Sequence, residues 1–293
     1  MELFFQQLIN GLATGAIYAS LAVALVLIYR STDIVNFAQG EMAMFSAYIA
    51  WALTEAGWGF WPAFLVTLLA SLVGGLLVER VVIRPVEGRD ELTIVIVTIG
   101  LFIFFNALAG WLWTFQVRGF PSPFPQRNLD IGPVSAGIPS LGILGVVAVV
   151  VGLLFLLFQR TKLGLTMRAA AENPESSRLV GIRVGWMLAL GWGLAATVGA
   201  LSGILAAPIL FLSPNLMAGV LIFAFAAATL GGFDSPGGAV IGGLIVGVSE
   251  SLAGTYIGFI GADLKIVIPM AIIVGVLLVK PEGLFGRPSV ERV

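Results

Sequence analysis

Along the chain, apolar residues come in long runs separated by short polar stretches. A bilayer hydrocarbon core of roughly 30 Å takes about 20 apolar residues in a helix to cross. Nine runs reach or approach that length: Gln6–Tyr29, Ile34–Leu53, Phe60–Val82, Leu92–Thr114, Leu141–Phe158, Trp186–Leu212, Met217–Leu230, Gly237–Thr255 and Leu264–Val279. The first has no basic leader and continues to Tyr29, past the A-x-A at Ala22-Val23-Ala24, so it reads as a span and not as a cleaved signal. The second carries Asn36, Gln39, Gly40 and Glu41 near its start, which predicts a broken or re-entrant segment. The expected fold is an all-α polytopic transmembrane helix bundle of about nine spans, in a range of about eight to ten, forming one domain over residues 1–293.

Lysine and arginine concentrate on the cytoplasmic side of membrane proteins, and their placement orients the bundle. With the first span running outside to inside, the inner segments hold Arg30, Arg80, Arg84, Arg89, Arg160, Lys162, Arg168, Arg178, Arg183, Lys280, Arg287 and Arg292. Only Arg118, Arg127 and Lys265 fall outside, twelve basic residues against three, and the inverted orientation reverses that bias. The C-terminus is therefore expected in the cytoplasm.

Two connections are long. Residues 115–140 fall outside on this reading, are rich in proline (Pro121, Pro123, Pro125, Pro133, Pro139) and predict an irregular extracytoplasmic cap. Residues 159–185 fall inside and far exceed the roughly 2–8 residues that usually join packed helices. Leu163–Glu172 is a good helix former around Ala169, Ala170 and Ala171. Asn173 then offers an N-cap oxygen, Pro174 suits the first helical position, and Glu175 sits at the positive end of the new helix dipole. Gly181 is placed to close that helix in the left-handed region. Two short helices with a corner at Asn173-Pro174 follow. They lack the aromatic, strongly cationic face of helices that rest on lipid headgroups, and suit docking into a second protein better.

Composition narrows the chemistry. The chain is 59% hydrophobic and 11% charged, where a soluble domain is about a quarter charged, and its mean hydropathy is +1.04. A net charge of −1 without a basic stripe gives nucleic acid nothing to bind. Without cysteine there is no disulfide or thiolate metal site, and without histidine the commonest general base and metal ligand is missing. No catalytic residue, resident metal or cofactor is expected on this chain. The acidic clusters that membrane-embedded lipid transferases use to hold a metal and a diphosphate are not present either.

The buried polar residues are the candidates for a translocation pathway. Glu41 and Glu250 lie deep in apolar runs, and an acid at the bilayer centre costs on the order of 3 kcal/mol, so both are expected to face protein or water. Glu250 is suited to pinning two helices by hydrogen bonds or to meeting a substrate ammonium; Glu41 is suited to satisfying backbone donors freed by a break at Gly40. Asn36 and Gln39 belong to that same turn, and Thr98 and Asn106 lie two turns apart in the fourth run; interhelical hydrogen bonding is their ordinary role. Glycines four apart, at Gly11/Gly15, Gly199/Gly203, Gly238/Gly242, Gly243/Gly247 and Gly254/Gly258, predict close helix packing.

The segment K-L-G-L-T-M-R-A-A-A-E-N-P-E-S-S-R-L-V-G-I from Lys162 resembles the coupling motif of ABC-importer permeases. Further blocks resemble the branched-chain amino acid permeases of LivH type: G-L-A-T-G-A-I-Y-A from Gly11, N-F-A-Q-G-E from Asn36, E-R-V-V-I-R-P-V from Glu79, and the pair G-G-F-D-S-P-G-G-A-V-I-G-G from Gly231 and P-E-G-L-F-G-R-P from Pro281. The resemblance implies a permease subunit of the bacterial inner membrane, moving branched-chain or related hydrophobic amino acids. It implies two ATP-binding cassette subunits, a second homologous permease and an extracytoplasmic substrate-binding protein as partners, with ATP and magnesium held by the ATPases. The coupling residues it implies are Arg168, Ala171, Glu172, Asn173, Pro174, Leu179, Gly181 and Ile182. The sequence departs from that pattern at Gln39 (commonly histidine), Asp234 (commonly glycine) and Phe223 (commonly lysine), which leaves urea, amides and aromatic acids open as substrates. A stand-alone secondary carrier or channel is the reading of another class; the lack of histidine and the few intramembrane acids speak against it. None of the lysines follows a glycine as a P-loop requires: Lys162, Lys265 and Lys280 follow Thr161, Leu264 and Val279.

Overall fold

The computed structural model of the protein describes residues 2–32, 34–131, 134–258, 261 and 264–286. The helices are α1 (Glu2–Thr32), α2 (Gln39–Glu55), α3 (Phe60–Val78), α4 (Glu91–Trp113), α5 (Ile138–Arg160), α6 (Lys162–Glu172), α7 (Pro174–Leu179), α8 (Val184–Leu210), α9 (Leu216–Gly231), α10 (Pro236–Tyr256) and α11 (Val267–Val279). Beyond Val78, α3 widens into a π-helical turn over Glu79–Ile83 and tightens into a 3-10 turn over Arg84–Val86.

Among the described residues six helices are long and apolar enough to cross a membrane: α1, α3 with its extension to Val86, α4, α5, α8 and α10. The other three expected spans are shorter. Helices α2, α9 and α11 have 17, 16 and 13 residues, and at about 1.5 Å per residue each falls short of the hydrocarbon thickness. Helix α2 is short because residues 34–38 leave the helical path and the helix starts only at Gln39. The outward apolar side chains on α3, α4 and α5, such as Leu69, Ile103, Val149 and Phe155, are more than half exposed. Water-soluble proteins rarely expose so many large apolar side chains; with six helices of spanning length, the chain is an integral membrane protein.

The connection read as an irregular cap carries a short hairpin, β1 (Asn128–Ile131) against β2 (Val134–Gly137), antiparallel, with Asn128 opposite Gly137 and Ile131 opposite Val134. The stretch on either side of residues 132–133 is free of proline, so its backbone N–H groups are available to a ladder. Pro133, Arg287 and Arg292 lie outside the described residues.

The chain packs as two compact units, each drawn from both halves of the sequence. The first comprises residues 1–26, 121–147 and 218–293, the second residues 27–120 and 148–217. In the first unit α1 lies against α10 through glycines: a Cβ at Gly11 would stand 2.8 Å from the Val248 Cα, one at Gly15 2.8 Å from the Gly243 carbonyl oxygen, and one at Gly247 would overlap the Gly15 backbone. On α10, Gly238 and Gly242 meet the backbone of Gly231 and Ala227 on α9. The segment after α11 closes on the same place, with the Leu284 and Phe285 N–H groups donating to the Leu230 and Gly231 carbonyls at 2.8 and 3.1 Å.

The second unit is built on α8. Helix α3 meets it where a Cβ on Gly75 would stand 2.6 Å from the Trp192 carbonyl oxygen, and α2 meets it where Gly199 and Gly203 face Gln39 and Ala43. Helix α4 is started by Asp90, whose carboxylate accepts from the Thr93 N–H at 3.3 Å and from the Thr93 hydroxyl at 2.7 Å. The hydroxyl bond holds the Asp90 carboxyl below its ordinary range. Asp90→Ala is therefore expected to lower the melting temperature at neutral pH. Because the folded-state pKa is depressed, this stabilisation is full above the unfolded carboxyl's pKa and is lost as pH falls through the folded one. Melts of wild type and variant should converge in acid, and a constant gap across pH would contradict the capping role.

Candidate functional site

The exposed helix pair α6–α7 is held at one end and free at the other. Thr161 caps α6 by accepting from the Gly164 N–H at 3.0 Å. Gly164, Met167 and Ala170 are buried at three-residue spacing, the inward stripe of an amphipathic helix. Gly164 sits so close to Leu157 and Phe158 that any side chain there would overlap them. Ala170 packs with Val184 and Leu188 of α8, with Ile182 and Met187 beside them.

At the corner, the Asn173 side-chain oxygen accepts from the Ser176 N–H at 2.9 Å, Pro174 opens α7 and Gly181 turns the chain back at φ +85°. Glu172, Asn173, Pro174 and Glu175 are exposed, Ala171 is half-buried, and Arg168 donates to the Gln159 side chain at 3.4 Å. Leu179 and Val180 at the end of α7 are 89% and 76% exposed, far more than an apolar pair needs to be in a folded chain. Sequence reasoning singled out Leu179 and missed Val180.

The start of α8, which anchors this pair, is braced by the block from Glu79. The Arg80 guanidinium lies over the Trp186 ring at 5.2 Å, and that of Arg84 fills the space a side chain on Gly185 would need.

Within the same unit, the polar turn before α2 is closed on itself. Asn36 and Gln39 are fully buried. The Asn36 side-chain oxygen accepts from the Ala38 N–H at 3.0 Å, its amide donates to the Gln39 oxygen at 3.2 Å, and the Gln39 amide donates to the Ala195 carbonyl on α8 at 3.0 Å. At the break the Asn36 side chain, and not Glu41, satisfies the buried Ala38 N–H. Gly40 and Glu41 form the first turn of α2.

The Glu41 carboxylate, 1% exposed, takes the Asn106 amide at 3.3 Å instead. Thr98, buried on α4, donates within its own helix to the Val95 carbonyl at 2.9 Å and is not hydrogen-bonded to this group.

Glu250 belongs to the first unit. There the Tyr18 hydroxyl donates to Glu250 at 2.7 Å, the Lys265 ammonium lies 3.9 Å away, and the Tyr18 ring stacks on Phe223 at 4.7 Å. Next to it, the Ser251 hydroxyl donates to the Gln7 carbonyl at 2.9 Å. Glu250 thus joins α1 to α10 through Tyr18. Tyr18, in the middle of the first apolar run, was the available signal, since a buried tyrosine hydroxyl usually has a partner.

A family model described as "Branched-chain amino acid transport system / permease component" matches residues 7–277. Among curated relatives, the high-affinity branched-chain amino acid transport system permease protein LivH of Escherichia coli (strain K12) is 32% identical, over 99% of this chain and 98% of its own. The corresponding BraD of Pseudomonas aeruginosa is 31% identical over the same shares. The autoinducer 2 import system permease protein LsrD of Klebsiella pneumoniae is 27% identical over 85% of this chain and 72% of its own. Among solved structures, PsaBC from Streptococcus pneumoniae in complex with Fab superposes with a TM-score of 0.50, covering 96% of this chain and 93% of that one at 14% identity, a likeness of fold alone.

Proposed function

Because the chain belongs to the family of branched-chain amino acid transport permease components, we propose that it is the membrane subunit of an ABC importer that moves branched-chain or related hydrophobic amino acids into the cell. Two ATP-hydrolysing subunits supply the energy, a second permease of the same family completes the pathway, and an external binding protein delivers the solute. The bundle lies in the bacterial inner membrane with its C-terminus in the cytoplasm, the side on which the α6–α7 pair then lies.

The observation that carries this reading is that pair: two short helices locked to α8 at Ala170 and capped at Asn173, presenting exposed Leu179 and Val180. A rigid lever with an apolar tip transmits movement of a docked protein to α8, the helix on which α2 and α3 also pack. Arg168, Ala171, Glu172, Asn173, Pro174, Gly181 and Ile182 shape and hold that lever.

The test is reconstitution. Proteoliposomes holding this chain, its partner permease and the ATPases should accumulate leucine only when ATP is inside and the binding protein outside. Accumulation by this chain alone, driven by an ion gradient, would make it a secondary carrier instead.

A further inference from the structure

We propose that Glu41, the Pro214 carbonyl and the Asn215 side-chain oxygen form a receptor for a primary ammonium group, whose place the Asn106 amide holds in this structure. The proposal rests on the importer reading and names the substrate group recognised within it.

The Asn106 Nδ2 lies 3.3 Å from a Glu41 carboxylate oxygen, 3.0 Å from the Pro214 carbonyl oxygen and 3.4 Å from the Asn215 Oδ1. An amide nitrogen carries two hydrogens, and three acceptors converge on it. A protonated amine carries three hydrogens and the positive charge that a carboxylate lacks here. Among the described residues the Glu41 carboxylate has no ion pair, and Asn106 supplies the one hydrogen bond it receives. A carboxylate 1% exposed with one long bond is poorly compensated for its lost hydration. The set is reachable, because Asn215 is exposed and Asn106 is half-buried.

Pro214 and Asn215 are held in a stiff frame. Helix α4, which carries Asn106, ends at Thr114 with φ +66°, and α8, which precedes Pro214, ends at Phe211 with φ +62°. Non-glycine residues in that region are strained and persist only where their surroundings enforce them. Arg118 and Leu212 enforce them by exchanging two backbone hydrogen bonds of 2.9 Å. The Arg118 side chain donates to the Trp113 carbonyl at 2.9 Å and covers the Trp51 ring of α2 at 4.5 Å. The ends of α4 and α8 are thus tied together next to Pro214 and Asn215.

Apolar surface adjoins the receptor. Phe45 lies one turn beyond Glu41 on α2 and meets Phe105, the neighbour of Asn106, at 5.5 Å. An ammonium beside a pair of phenylalanine rings fits a hydrophobic α-amino acid, the ammonium on the oxygens and the side chain on the rings.

The test uses the purified full-length chain in lipid nanodiscs and isothermal titration with L-leucine, leucine methyl ester (slightly acid pH, amine protonated) and N-acetyl-leucine, which has no ammonium. Leucine and its ester should bind, and N-acetyl-leucine should not. Glu41→Gln should weaken both by about tenfold or more, the scale of a lost charge-assisted hydrogen bond. Asn106→Ala should bind them as tightly as wild type or more tightly, since the competing amide is gone, and should gain at least as much melting temperature from the ester as wild type gains. Should Glu41→Gln not fold, Asn106→Ala decides, because a merely structural Asn106 predicts the opposite sign.

Binding of N-acetyl-leucine equal to leucine, wild-type affinity in Glu41→Gln, loss of binding in Asn106→Ala, or no binding of the ester by wild type each overturns the site. In proteoliposomes the two readings part. ATP-driven leucine uptake that Glu41→Gln leaves at the wild-type rate keeps the importer and removes this receptor, whereas no ATP-driven uptake by wild type removes the importer itself.

Discussion

Leucine in place of Gly247 is expected to leave no folded protein to isolate. Even a Cβ at this position overlaps the Gly15 backbone, and no flexible side chain stands in between to yield. Overpacking a core that can adjust costs about 1–3 kcal/mol. Here two backbones meet directly, so α10 must move off α1 and give up the contacts at Gly11, Gly15 and Gly243 together. The expected loss is at least about 3 kcal/mol, a large part of the roughly 5–15 kcal/mol that a folded domain has in reserve. Gly152 on α5 is the matched control, because nothing lies within 4 Å of a Cβ there. Gly152→Ala should be neutral or stabilising by up to about 1 kcal/mol, the difference in helix propensity. Fluorescence-detected size exclusion of the two variants reads the contrast, and equal yields would contradict the packing assigned to α1 and α10.

Aspartates at both Leu179 and Val180 are expected to abolish capture of the ATPase subunits while leaving the permease intact. Both side chains are more than three-quarters exposed, so the substitution removes no internal packing and the melting temperature should stay within about 1–2 °C, as for ordinary surface changes. Central apolar anchors of an interface commonly cost 2 kcal/mol or more each when truncated. Two charges in their place add desolvation, so the expected loss of affinity is about a thousandfold or more. Replacing Arg168 to Ile182 with a flexible linker should also abolish capture, at some cost in stability because Ala170 and Ile182 pack against α8. Capture of the ATPases at wild-type level by both variants would remove the docking role.

What was legible in the sequence was what depends on neighbours in the chain. Asn173, Pro174 and Gly181 act within a few residues of themselves, so the two short helices and their corner follow from local chemistry. The apolar runs are equally local, and the long helices lie within or around them. Their ends are less so. Helix α2 begins at Gln39 because Asn36 and Gln39 close the preceding turn against Ala195 of α8, 156 positions away in sequence from Gln39, and no window on the sequence contains both sides.

The glycine spacings at Gly11/Gly15 and Gly243/Gly247 announced close packing but not that the two pairs face each other. Likewise Glu41 and Glu250 read as two similar buried acids. Their partners differ: Tyr18 and Lys265 answer Glu250, and among the described residues Asn106 answers Glu41. The β1–β2 hairpin was hidden by the prolines that flank it, since its strands are four residues each and carry no strong alternation.

The native chain has no cysteine, so a single cysteine at Leu179 can be labelled without background. The account predicts that a membrane-impermeant maleimide reaches it in inverted membrane vesicles and not in intact cells, and that bound ATPase subunits protect it. Labelling of that cysteine in intact cells would put the α6–α7 pair on the wrong side of the membrane to meet an ATPase and would contradict the account at its centre.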